Sequence, residues 1–376
     1  MPASIRGQRT GSTSSMAPKL RKNKSGPMPQ EFDVGHDLCL VLHDLLVELL
    51  KSGEEGNLFT TSIEFTDEAD RAAFESSPDI FEWLAQNRRL EDRARVLTNV
   101  VLPAVLSDLL HCIYEALESS RKGKLGTAYM LIRKPLQENL FLLESVVMDP
   151  LDFAEKLANE PLLLRGLKGG GVDVHTKRID AVLKTVKETH RLSAPYLAQL
   201  RYDKHANDGF DGICNVAMHL FTAHPAIRTE PLNVNFIFSR YKEKLTQWSY
   251  LYSRLPYLLF YLYRVVEHIA QGIAPTLPAY VQDVERRIAA LIVLWWPTVK
   301  DDYRTEALEA FFSETSNWLS DHCEQAHCRA PTKRDLNRMA RCGALPGEPA
   351  ESVRAREAMY ELLAAANREA AGEESM

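Results

Sequence analysis

One stretch of this chain, Ser239–Gln271, holds a single helical stripe for 33 residues. Leu245, Trp248, Leu251, Tyr252, Leu255, Leu259, Leu262, Val266 and Ile269 recur at intervals of three and four, the period of an α-helix. Pro256, in its middle, is expected to kink it. The aromatic load from Tyr241 to Tyr263 fits core packing at helical spacing, with a stacking surface for bases as the other reading.

The same period recurs along most of the chain. Leu38, Val41, Leu42, Leu45, Leu46 and Leu49 mark a helix from Glu31 to about Ser52-Gly53, and Asp67–Gln86 reads as one or two shorter helices. Arg93–Ser120 is a long helix that Pro103 should bend, with Val96, Val100, Val101, Ala104, Leu109, Cys112 and Ile113 facing inward. The turn Gly123–Gly126 leads into a helix over Thr127–Met148, and so short a turn makes the two antiparallel neighbours. Asp173–Leu192, Cys214–Phe221, Tyr280–Val299, Tyr303–Cys328 and Ala350–Ala371 are further helices, and Val234–Phe238 is the one plausible strand. The fold class is therefore all-α, a multi-helix bundle. It divides into a main bundle over 31–272 and a C-terminal helical region over 279–371, behind a basic tail at 1–30 expected to be disordered.

That tail carries Arg6, Arg9, Lys19, Arg21, Lys22 and Lys24 and no acid, whereas the whole chain has a net charge of −6. A basic arm on an acidic body suits contact with nucleic acid or an anionic surface, or a solvated extension. The first 30 residues lack an apolar signal-peptide core. The longest uninterrupted apolar runs, Leu255–Tyr263 and Ile288–Trp296, have nine residues each, against about 20 needed to span a bilayer. A soluble, cytoplasmic protein with no membrane partner is expected. The six cysteines form no disulfide framework, and Cys39 and Cys112 fall within apolar helical patterns as small buried hydrophobes.

Polar chemistry concentrates in Arg201–Ser239, which holds three histidines, two arginines, one lysine and four asparagines between strongly helical regions. Asp203, His205, Asp208, Asp211, His219 and His224 are ligand types for a metal, but no paired spacing on one helix face supports a metal site. A metal-free alternative uses His205, His219 and His224 as acid and base, with Arg201 or Arg228 clamping a phosphate or carboxylate. In an RNase of this kind one imidazole takes the 2′-hydroxyl proton while a cation stabilises charge on the phosphoryl oxygens. The structural alternative is that these side chains cap helices and tie down loops, as Asn233 and Asn235 suit.

Arg133 and Glu138 lie within an apolar helix, where charged groups need partners, and Tyr129, Arg133 and Gln137 share a face. Glu138 is expected either in a buried ion pair or orienting a catalytic histidine. Further along, His322-Cys323-x3-His327-Cys328 offers zinc-type ligands without the usual paired CxxC, and an incidental helix end is the alternative. Arg334, Arg338 and Arg341 line one side of a helix that Thr332 caps, forming either a phosphate contact or a solvated face. The glycines of Arg165–Val172 neither follow a strand nor precede a phosphate-loop lysine, and read as a linker. No cofactor is expected.

The helix Leu131-Ile132-Arg133-x4-Glu138, followed by Phe221-Thr222-Ala223-His224-Pro225, resembles a loose group of bacterial helical proteins, some with HEPN-like bundles, over about residues 125–240. The resemblance implies an RNA-binding or metal-independent RNA-cleaving protein of a defence or toxin type, with Arg201, His205, His219, His224 and Arg228 as site and Glu138 with Arg133 as supporting pair. HEPN nucleases separate arginine from histidine by four to six residues and place a polar residue after the arginine. Here three residues separate Arg201 from His205, and Tyr202 follows Arg201. That departure points to the other expectation, a non-catalytic scaffold forming a homodimer or holding a protein partner. A metal-dependent hydrolase is a third.

Overall fold

A computed structural model describes residues 27–165, 170–221 and 240–373, with side chains through residue 366. Among the described residues every regular element is a helix and none is a strand, as the all-α expectation requires. The plausible strand at Val234–Phe238 lies outside the described residues, as does all but the last few residues of the expected disordered tail. Those last residues are ordered. The Met28 N–H donates to the Arg121 carbonyl at 3.3 Å, and Gln30–Phe32 forms a 3-10 turn.

The helices are α1 (Asp33–Glu55), α2 (Glu68–Ser76), α3 (Ile80–Gln86), α4 (Leu90–Arg121), α5 (Leu125–Lys134), α6 (Leu140–Met148), α7 (Pro150–Asn159), α8 (Val172–Thr185), α9 (Ala194–Tyr202), α10 (Phe210–Met218), α11 (Tyr241–Ile273), α12 (Pro278–Trp295), α13 (Glu306–Gln325), α14 (Lys333–Cys342) and α15 (Ala350–Glu373). The long stripe of α11 forms the centre. From Trp248 to Tyr263 every side chain is buried, because neighbours enclose the helix on all sides. α1 packs against α11, α4 and α12, while α5 and α6 close another flank and α13 and α14 cover α12. The buried core is continuous from Phe32 to Ala340.

Helix starts follow the capping residues. The Asp67, Asp79, Asp149, Ser193 and Thr305 side chains each accept a backbone N–H of the first turn, and Thr332 with Asp335 forms a reciprocal capping box.

Three expectations need correction. In α4 the inward positions are Leu102, Leu106, Leu109, Leu110, Ile113 and Leu117, whereas Val100 and Ala104 are exposed. The cause is that Val100–Leu106 is apolar at every position, so periodicity alone does not fix the buried face there. By length and composition α4 is also apolar enough to cross a membrane, with 33 % of the relevant window buried in the bundle. Asn99 and Asp108 interrupt its apolar run, which is why run length missed it. Second, α8 ends at Thr185, and Lys187 takes a positive φ of 59°, so Val186–Ser193 is a turn rather than the end of a helix. Third, the helix expected over Thr127–Met148 carries a π-helical segment at Pro135–Asn139, because proline removes a backbone donor from the ladder.

Gly343 closes α14 at φ 64°, and a Cβ there would lie 2.9 Å from the Asp283 carbonyl oxygen. Gly343→Ala is therefore expected to cost about 1–3 kcal/mol, read as a lower urea midpoint. An unchanged midpoint would show that α14 and α12 separate freely at this contact.

Candidate functional site

The π-helical segment governs where the polar residues of the middle helices go. It rotates α6 relative to α5, so that Arg133 and Gln137 face α10 while Glu144 faces α11. The Arg133 Nε lies 3.5 Å from Asp211, and Gln137 donates to Asp211 and to the Arg201 carbonyl. Glu138 falls on the opposite side and is exposed. The expectation that Glu138 is the buried carboxylate is thus corrected: that position is Glu144, one and a half turns later.

Glu144 is wholly buried. It accepts from the Arg201 guanidinium and from the Tyr261 hydroxyl at 2.8 Å, and its second oxygen lies 3.5 Å from the Arg178 Nε. Arg201 also donates to the Leu136 carbonyl and the Tyr202 hydroxyl, each at 2.7 Å. Burial works against the Arg201 charge, but the Glu144 carboxylate, Tyr202 and Tyr261 outweigh it and raise its pKa above the ordinary value. The His175 ring stacks on Tyr202 at 3.7 Å, and burial followed by the Arg201 charge lowers its pKa.

The sequence-predicted site is therefore divided. Arg201 is interior, while His205 and His219 are exposed at the surface. His224 and Arg228 lie outside the described residues. The aspartates once grouped with the histidines are each committed elsewhere. Asp203 accepts the His205 and Ala206 backbone N–H groups, Asp208 takes a two-point contact from Arg254 at 2.8 and 3.0 Å plus the Tyr196 hydroxyl, and Asp211 holds Gln137. His322 stacks on Trp318 and bonds Arg286 at 3.0 Å, and Cys323 is buried. Among the described residues no group of three or more His, Cys, Asp or Glu side chains is disposed to hold a metal. Arg334 and Arg341 are exposed on α14.

A large concave feature lies elsewhere among the described residues. At the end of the bundle where α1 and α11 terminate, a cleft of about 520 Å³ opens between α1, α11, the start of α12, and α15. Leu45, Tyr263 and Val284 are among its buried lining residues, while Leu58, Leu277 and Leu363 stand exposed along it. Gly53 lets the Phe59 ring lie against α1, since a Cβ there would sit 2.4 Å from the ring. α15 is held over the cleft by Asp283, which accepts from the Arg356 Nε at 2.5 Å and the Tyr360 hydroxyl at 3.1 Å. The polar groups in the lining include Glu48, Glu55 and Glu267.

Glu267 belongs to a buried cluster in which Arg191 and Arg264 face Glu188, Glu267 and Glu285. Burial is the chief reason the Glu267 carboxyl is held above its ordinary value of 4.5, with Arg264 opposing. Burial also raises Glu48. Sequence reasoning missed this site because its walls come from segments more than 300 residues apart. The available signals were Arg264 and Glu267 within an otherwise apolar helix.

Comparisons with protein-family models, with curated proteins and with solved structures gave no match.

Two predictions follow from the buried charges. Glu144→Ala strands Arg201 in the interior and is expected to cost about 3–5 kcal/mol in chemical denaturation; a loss below about 1 kcal/mol would mean that water reaches the pair. Glu267 has the opposite sign. Its folded pKa exceeds the unfolded 4.5, so the folded state holds more protons between the two values and stability falls as pH rises through that window. Glu267→Gln should melt no lower than wild type at about pH 7 and lose any advantage near pH 4. Melting several degrees lower at neutral pH would show that the ionised carboxylate stabilises the cluster.

Proposed function

We propose that this chain is a non-catalytic helical binding protein whose site is the cleft between α1, α11, α12 and α15. The observation that carries the reading is the cleft itself: about 520 Å³, largely apolar in its lining, with a few polar groups. Ligand sites have this size and character, about 300–1,000 Å³ with apolar walls and a small polar set. Exposed leucines gathered along one concavity add to it, since apolar side chains that converge at the surface mark interaction sites.

The neutral dye N-phenyl-1-naphthylamine, which brightens in apolar surroundings, tests this. Saturable binding to wild type is expected, with at least a tenfold loss in Ala270→Trp, which fills the cleft from α11. Equal binding by a normally folded Ala270→Trp protein, or no saturable binding to wild type, would end this reading.

An RNA-binding or RNA-cleaving protein of HEPN-like type is the second reading. It is favoured by the exposure of His205 and His219 beside the segment that carries His224 and Arg228. Against it, a phosphate clamp needs a guanidinium that the phosphate can reach, and Arg201 is buried and paired with Glu144. RNA incubated with the protein in EDTA is expected to remain intact. Cleavage that His205→Ala or His224→Ala abolishes, without a change in melting, would restore the nuclease reading and displace the first.

A further inference from the structure

We propose that the cleft binds a small amphiphile with a single ammonium head, the apolar body lying along α1 and α15 and the head directed to Glu267. The inference rests on the cleft being a binding site.

Charge complementarity carries it. The lining contains Glu48, Glu55 and Glu267, and among the described residues none of it is lysine, arginine or histidine. An apolar cleft with this polar set repels carboxylates and phosphates. A neutral ligand would gain nothing from the negative charge of the lining.

The buried charge clusters sharpen the argument. Asp208 is matched by Arg254, and Asp211 by Arg133. Asp283 and Glu348 are matched by Arg286 and Arg356. Glu144 has both Arg201 and Arg178. The cluster beside the cleft differs: Arg191 and Arg264 serve the three carboxylates of Glu188, Glu267 and Glu285, one acid more than the guanidiniums present. Glu267 is the member of this cluster that lines the cleft, and its side chain is nearly buried, at 10 % exposure. A cation arriving from the cleft supplies the missing countercharge at a place where solvent screens it little.

The aromatic lining suits the same head. Tyr263, Tyr280 and Tyr360 all border the cleft, the latter two in edge-to-face contact at 5.3 Å. Tyrosine rings attract ammonium groups through their negative faces, and an aromatic surface beside a carboxylate is a general arrangement for holding them. The apolar length of the cleft, from Leu45 to Leu277, excludes a small hydrophilic amine as the best ligand, because such an amine leaves the leucines uncovered.

The test is direct calorimetry on the full chain with octylammonium, octanol and octanoate. Octylammonium is expected to bind with 1:1 stoichiometry, at least tenfold tighter than octanol, with octanoate weakest. Glu267→Gln should remove about tenfold of the octylammonium affinity and leave octanol unchanged; Glu48→Gln reports whether the outer acid contributes. Octanol binding as tightly as octylammonium, or an octylammonium affinity indifferent to Glu267→Gln, overturns the cationic assignment while the cleft stands as an apolar site. If none of the three binds and Ala270→Trp leaves dye binding unaltered, the cleft reading fails and takes this proposal with it.

Discussion

The carboxylate of Glu144 is the polar centre on which the arrangement of the middle helices depends. It lies without solvent exposure between α6, α8, α9 and α11, joined to Arg178, Arg201 and Tyr261. An ionised carboxylate in such surroundings is tolerable only when its lone pairs are taken up, and the same holds for the guanidinium of Arg201. Each therefore fixes the other. Because Arg201 also donates to the Leu136 carbonyl inside the π-helical segment, the pair fastens the irregular turn as well. The π-helix shifts the register of α6 so that Glu144 points inward, and the inward Glu144 gives Arg201 its reason to be buried. A sequence change at one of these positions strands the other two.

Similar ties recur around α11. Arg254 links it to the loop after α9 through Asp208, Tyr252 bonds Ser120 of α4 and His36 of α1, and Arg264 reaches the turn after α8 and the start of α12. Apolar burial along α11 supplies the driving force but has little directional preference, since leucine and tyrosine cover its whole circumference. The polar ties select one rotation of the helix. That division of labour explains why so apolar a helix carries Arg254 and Arg264, which meet different elements of the bundle, with Glu267 one turn beyond Arg264 and paired to it.

Much of the fold was legible from periodicity. The starts and ends of α1, α11 and α15 fall within a few residues of where the stripe places them, and Thr332 caps α14 as its position predicts. Legibility failed where a stretch of helix is apolar at every position, as at Val100–Leu106 of α4, or where the backbone departs from the α-helical repeat. The π-helical turn at Pro135 is the instructive case. Glu138 is expected inward because it lies within an apolar helix, but five residues from Arg133 is more than a full turn and takes it off the Arg133 face, and the buried carboxylate beyond the π-turn is Glu144. The polar segment from Arg201 to His219 was correctly seen as unusual, but its residues serve two ends. Arg201, Asp208 and Asp211 brace the interior, whereas His205 and His219 face solvent. Composition alone does not separate these roles, because a bracing arginine and a ligand-binding arginine are the same residue until their partners are known.

The cleft was illegible for a further physical reason. Its walls are the ends of helices, and helix ends are where the apolar stripe loses its match: α1 and α11 run on past the last layer of the core, with Leu49 and Ile273 only partly covered. In a chain selected for stability alone, such an end would be closed by a loop or trimmed by polar substitution, since exposed leucine gathered in a concavity invites association. Here Leu58, Leu277 and Leu363 are contributed by three separate segments, and α15 is braced by Asp283, Arg356 and Tyr360 in a position that leaves the gap open. Bracing of this sort spends buried polar groups to maintain a space rather than to fill one. A cavity framed by its own hydrogen bonds, with surplus negative charge on one wall, is what the proposed ligand site requires and what a packing defect has no need of.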